Sequence, residues 1–253
     1  METNLKDYRQ SFIGKEQVEE YETRYTNLSL SSFLWKIEKN ILDQEVYNLE
    51  NVKEKKYLDF ACGTGRIISH MEDFFGESVG IDISSEMLKA AERSSKHSKL
   101  ICKDITSDQD VIEGSYDFIT AFRFFLHSDP KLQENVIRNL KKRLKNKDSV
   151  LVVNNHGNRY SFLFPFYIID KIRSVLGLER LNKGNCLVTS DLVALLEANG
   201  LSVVRRYGFG FSPGFLVKLL PLNILYFMEE KGKESALFSR FGIDQMLVCK
   251  IKK

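Results

Sequence analysis

Two histidines and one glycine-rich turn are the places where residue type and spacing suggest chemistry. His127 and His156 each follow an apolar stretch, 116–122 and 149–154 respectively. Histidine gives up and takes a proton near neutral pH, so one at the end of a strand bordering a cleft is a candidate general base. For each, a packing or helix-start histidine is the plainer alternative. His70, within a helical stretch, and His97, in a charged one, read as packing or surface residues.

The turn lies in Tyr57-Leu58-Asp59-Phe60-Ala61-Cys62-Gly63-Thr64-Gly65-Arg66, an apolar strand running into two glycines that open a helix. Gly63 and Gly65 allow a tight turn and let a ligand approach backbone that a Cβ would block. The third glycine of the dinucleotide fingerprint is replaced by Ile68, which counts against a nicotinamide cofactor. The next strand ends at Asp82, nineteen residues beyond Gly63. An acid there can accept hydrogen bonds from both hydroxyls of a ribose, or else cap the helix expected over 85–95. Asp104 ends the third strand on the same edge, near where an adenine amino group would lie; an ordinary loop aspartate is the alternative.

Positioning these residues requires alternating strands and helices. Strands are expected at 56–60, 78–83, 99–102, 116–122, 149–154, 202–209 and 244–251. Asp129-Pro130 reads as an N-cap and first helical residue, followed by the stripe Leu132, Val136, Ile137, Leu140 and Leu144. Thr189 or Ser190 is expected to cap a helix bearing Leu192, Leu195 and Leu196, closed by Gly200. Before the first strand, residues 15–50 read as two helices, so 1–50 is a candidate lid on a domain spanning 51–253. Insertions at 157–187 and 212–240 break the βα rhythm. They are rich in Phe, Tyr and Leu, and Pro165, Pro213 and Pro221 argue against continuous helices there. They are expected to wall an acceptor pocket, rest on a membrane surface or cover the core.

The chain has 253 residues, net charge +3 and pI near 8.5, far from the basic footprint of a dedicated nucleic-acid binder. The run Lys141, Lys142, Arg143, Lys145, Lys147 reads as a helix's solvated face. Cys62, Cys102, Cys186 and Cys249 contain no CxxC pair, so neither zinc nor a disulfide framework is expected. The polar N-terminus and the lack of a long apolar run lead to the expectation of a cytoplasmic protein.

In these motifs the chain resembles the class I S-adenosylmethionine-dependent methyltransferases. The resemblance rests on Asp59 to Gly65; on Gly80-Ile81-Asp82-Ile83-Ser84 with Met87-Leu88 and Ala91; on Asp104; and on Tyr116 to Thr120. It covers 57–154 most clearly. It implies an α/β fold, a Rossmann-like seven-stranded mixed sheet with helices on both faces, with S-adenosylmethionine across the carboxyl ends of the first four strands. Phe60, Ala61, Gly63 and Gly65 would line the methionine moiety, Asp82 the ribose, Ile83, Met87 and Ile105 the adenine, and Asp104 its amine. Phe122 and Arg123 would flank the same cleft. Phe60-Ala61 departs from the small pair many members carry. Tyr21 or Arg24 would close over the cofactor's carboxylate, for which a guanidinium fork is suited.

The stretches Tyr21 to Tyr25, Phe122 to His127 and Asn154 to Asn158 look closest to small-molecule and polysaccharide-cluster members. The expected acceptor is therefore an oxygen or nitrogen of a small molecule, sugar or glycan, with His127 or His156 as base and no metal. The alternatives are a lipid or quinone acceptor at a membrane surface, through peripheral contact, and a non-catalytic cofactor-binding module. Nucleic acid is disfavoured because Phe122-Arg123-Phe124-Phe125 stands where a Pro-Pro-Tyr motif would be.

Overall fold

Seven apolar runs in the expected places pair into one sheet. The computed structural model describes residues 29–105, 114–179, 186–212, 219–235 and 237–252. Its strands are β1 (Lys56–Phe60), β2 (Glu77–Asp82), β3 (Lys99–Cys102), β4 (Phe118–Ala121), β5 (Val150–Asn155), β6 (Leu201–Phe209) and β7 (Asp244–Ile251). They stand in the order β3-β2-β1-β4-β5-β7-β6. The first five run parallel to one another, whereas β7 runs antiparallel to both β5 and β6. The seven-stranded mixed Rossmann-like sheet is thus observed, within a residue or two of the expected bounds. The expected 116–122 shortens to 118–121 because Tyr116 instead bridges to Leu144.

Side chains alternate across the sheet. Tyr57, Phe118, Val150 and Val152 join the core beneath helix α1 (Leu30–Tyr47). Leu58, Ile119, Leu151 and Val153 join the opposite core. Helix α2 is the single turn Ile68–Met71 after the glycine turn, and α3 is Ser85–Ser94. Helix α4 (Pro130–Arg143) starts as expected, with the Asp129 side chain accepting from the Lys131 and Leu132 amides. Its Val136, Ile137 and Leu140 are fully buried, each contributing about 1.5–3 kcal/mol of apolar burial.

Helices α5 (Phe164–Val175), α6 (Thr189–Ala198) and α7 (Leu222–Gly232) complete the set. Three expectations change here. Pro165 and Pro221 do not break helices but stand in the first turn of α5 and at the N-cap of α7, where a missing N–H costs nothing; Pro213 lies outside the described residues. Neither Thr189 nor Ser190 caps α6. Val188 is its N-cap, while the buried Thr189 hydroxyl is engaged by Asn155. Of the two helices expected in the lid, 30–47 is a helix as expected but is built into the core through Phe33, Leu34, Ile37, Ile41, Leu42 and Val46, and residues 1–28 lie outside the described residues.

Candidate functional site

The carboxyl ends of β1, β2, β4 and β5 converge on one edge, and the residues singled out by type gather there. After Phe60 the chain turns through three left-handed residues, Ala61 (φ 55°), Gly63 (φ 56°) and Gly65 (φ 85°). The two glycines do different work. A Cβ on Gly63 would meet nothing within 4 Å, so this backbone faces open space. A Cβ on Gly65 would lie 2.9 Å from the Cα and Cβ of Ala91, so this glycine lets the turn pack against α3. Gly63 is therefore the position a ligand can approach closely, and Gly65 is a packing position.

Asp82 ties this turn to the next unit. Its Oδ2 accepts the Gly63 amide at 2.8 Å and its Oδ1 the Ser84 amide at 2.9 Å, with Ser84 capping α3. Burial raises its pKa, opposed by those amide bonds. A carboxylate offers about four acceptor positions, more than these amides fill, which leaves capacity for a donor such as a ribose hydroxyl. Ile83 beside it is 42% exposed, whereas Met87 and Ile105 are buried and Asp104 is half-buried. Phe60 and Phe122 are core residues, Phe60 lying edge-on to Phe124 at 5.1 Å. Tyr21 and Arg24 lie outside the described residues.

Chain leaving β4 turns at Arg123, a non-glycine at φ 59°, then passes through a short 3-10 turn, Phe125–His127. Gln133 of α4 pins that turn by donating to the Phe125 and Ser128 carbonyls at 2.6 and 3.0 Å. The pinned turn brings His127 Nε2 to 3.3 Å from His156 Nε2 at the end of β5. Both pKa values are lowered. For His127 the cause is burial and then the Arg123 charge; His156, with the same causes plus His127 and Arg66, falls well below the usual value. The two candidate bases are thus a contacting, neutral pair at pH 7.

Beneath this pair lies a buried polar cluster that periodicity does not reveal. Glu38, on the buried stripe of α1 and fully shielded, accepts Arg66 Nη1 at 2.7 Å on one oxygen and Arg123 Nη2 at 3.2 Å on the other. Burial alone would raise its pKa, but the two guanidinium charges outweigh it and lower the value. The Arg66 guanidinium also lies over the Trp35 ring, 4.2 Å from its centroid. Asp244 of β7 accepts from Asn154 at 3.0 Å, and burial pushes its carboxyl up to about 6, with Arg123 opposing. Asp59 accepts from Thr120 at 2.7 Å on Oδ1, while its buried Oδ2 has no hydrogen-bond partner among the described residues. Burial pushes this carboxyl to about 7. Glu38 interrupts the apolar stripe of α1 at a position facing inward.

The arrangement fits an adenosyl cofactor: open backbone at Gly63, spare acceptor positions on Asp82, an exposed apolar residue at Ile83, and proton-accepting groups on the same edge. Among the described residues no cluster of metal-ligating side chains is present.

Comparison with known proteins agrees with this geometry. Residues 58–147 match the family model described as "Methyltransferase domain". The chain is 23% identical over 188 residues to a ubiquinone biosynthesis O-methyltransferase of Idiomarina loihiensis, covering 72% of this chain and 76% of the relative. It is 25% identical over 174 residues to the protein of that name from Aliivibrio fischeri, covering 66% and 74%. In fold it is similar to the crystal structure of magnesium protoporphyrin IX methyltransferase from Synechocystis with bound SAH. The TM-score is 0.64 and the sequence identity 14%, with 97% of each chain covered.

Proposed function

From the premise that this chain is a class I S-adenosylmethionine-dependent methyltransferase, we propose that it methylates a hydroxyl oxygen of a small organic acceptor, with the His127–His156 pair as the proton acceptor. The observation that carries this reading is the 3.3 Å contact between the two imidazoles, which follow β4 and β5 on the carboxyl edge. The cofactor, when bound, supplies a methyl group on a sulfonium. The open Gly63 backbone would border its methionine end, Asp82 would hold its ribose, and Ile83 would offer an apolar face to the adenine. His127, on the pinned turn, would take the hydroxyl proton of an acceptor whose oxygen receives that methyl group. His156 shares that proton load through the Nε2 contact. Burial and Arg123 disfavour the doubly protonated pair, so the imidazoles stay ready to accept a proton at pH values where an ordinary histidine is half charged.

A nitrogen acceptor needs less help from a base, so the neutral pair favours oxygen over the nitrogen alternative. Sugar and glycan hydroxyls remain within the proposed class. An aromatic or quinone-type hydroxyl has support from the named activity of the two relatives and from the apolar insertions beside the cleft.

The test is methyl transfer from labelled S-adenosylmethionine to a panel of hydroxylated acceptors. His127→Ala and His127→Gln should lower turnover about 10²- to 10⁴-fold, the usual cost of losing a general base, with cofactor affinity unchanged. The pH profile gives an independent reading. Activity requires the unprotonated pair, so it falls only as pH drops through a folded-state pKa below the usual 6.5. Turnover that survives His127→Ala, or an acid limb at or above pH 6.5, would contradict the base assignment.

A further inference from the structure

Strands β5 and β6 are both antiparallel to β7 and hence parallel to each other, so the insertions that follow them leave from the same edge of the sheet. Asn158 fastens their ends together. Its side-chain amide donates to the Arg240 and Gly242 carbonyls at 2.8 and 2.9 Å, and its backbone amide to Ile243 at 2.9 Å. Of the twelve residues of α5, Asp170 alone is buried. Phe166, Ile169, Ile172 and Val175 stand 41–82% exposed, and beyond the Asn158 tie Phe238 and Phe241 are 61% and 49% exposed. An isolated exposed leucine needs no explanation, but a whole apolar helix does.

The charges around these side chains decide what covers them. The one acid of α5 is the inward-facing Asp170, and its remaining charges are Lys171 and Arg173; the sole charge of the 237–241 turn is the exposed Arg240. Exposed apolar side chains whose accompanying charges on these two segments are Lys171, Arg173 and Arg240, with the one acid buried, suit an anionic lipid surface, where the apolar groups enter the headgroup boundary and the cations meet phosphates. At about 1.5 Å per residue, α5 is too short to cross a bilayer, and no described helix is long and apolar enough to do so. We propose that α5 and the adjoining 237–241 turn dock this protein on an anionic phospholipid surface, lying in the interface, with the catalytic edge turned toward the membrane. The proposal rests on the surface and not on which hydroxyl is methylated.

Co-sedimentation of the full chain with vesicles tests it, comparing phosphatidylcholine alone with phosphatidylcholine containing phosphatidylglycerol. The expected result is binding to the anionic vesicles that weakens with salt. The double variant Ile172→Glu, Val175→Glu should lower that binding by at least about tenfold, since each side chain loses its apolar insertion. Its thermal unfolding should stay at wild type, because both residues are exposed. The variant Lys171→Glu, Arg173→Glu, on the same helix but without apolar loss, should abolish the preference for anionic vesicles. Three results would overturn the proposal: no vesicle binding by the wild type, binding unchanged in both variants, or a self-associated species dissolved by the first variant with no vesicle binding. Methyl transfer to a water-soluble acceptor is measured in the same samples, so loss of docking is separable from loss of catalysis.

Discussion

Glu38 shows how much one side chain can organise. It reaches Arg66 just after the glycine turn and Arg123 at the end of β4, so a helix before the first strand sets the position of two cations at the catalytic edge. Removing one partner from a buried ion pair leaves charge stranded away from water, at a cost of about 3–5 kcal/mol. Glu38→Gln should therefore lower stability by that amount in urea unfolding, and a change below about 1 kcal/mol would mean the arginines are solvated or repaired elsewhere. Stripe reading could not find Glu38, because it scores a glutamate as solvent-facing and the two partners are 28 and 85 residues away. His127 and His156 were individually legible from their places after apolar strands. Their contact was not, because it depends on Gln133 shaping the intervening turn.

At the level of elements, the turn after β1 separates structural from ligand-facing roles. Gly65→Ala forces a Cβ into Ala91 and a left-handed conformation on a residue that disfavours it, for roughly 2–5 kcal/mol in all. Gly63→Ala has open space and should cost only about 1 kcal/mol of stability, while obstructing whatever approaches that backbone. The predicted pattern is a lowered thermal midpoint with Gly65→Ala, and a near-normal midpoint but weakened cofactor binding with Gly63→Ala. The reverse pattern would exchange the roles assigned to the two glycines. Both glycines were legible, but the sequence treated them alike, because what surrounds Gly65 comes from a helix 26 residues later. Strands and the Asp129-capped helix were legible because their signals are local: alternating or continuous apolar runs, and a cap followed by proline. The caps of α5, α6 and α7 were not, since proline suits a helix start as well as a break, and Thr189 is claimed by Asn155.

For the whole molecule, the sheet order β3-β2-β1-β4 brings onto one edge the groups assigned to the cofactor that lie among the described residues. The central requirement is that this edge binds an adenosyl ligand through Asp82. Both oxygens of this side chain already serve the Gly63 and Ser84 amides, so replacing it removes ligand contacts and loosens the turn together. Calorimetric titration of S-adenosylhomocysteine, which needs no acceptor, is the direct measurement. The wild type should bind one equivalent and should not bind NAD, and Asp82→Ala should weaken binding by about 1.5–3 kcal/mol, the usual worth of hydrogen bonds to a charged group. Unchanged affinity in Asp82→Ala, or binding of NAD in place of S-adenosylhomocysteine, would contradict the account.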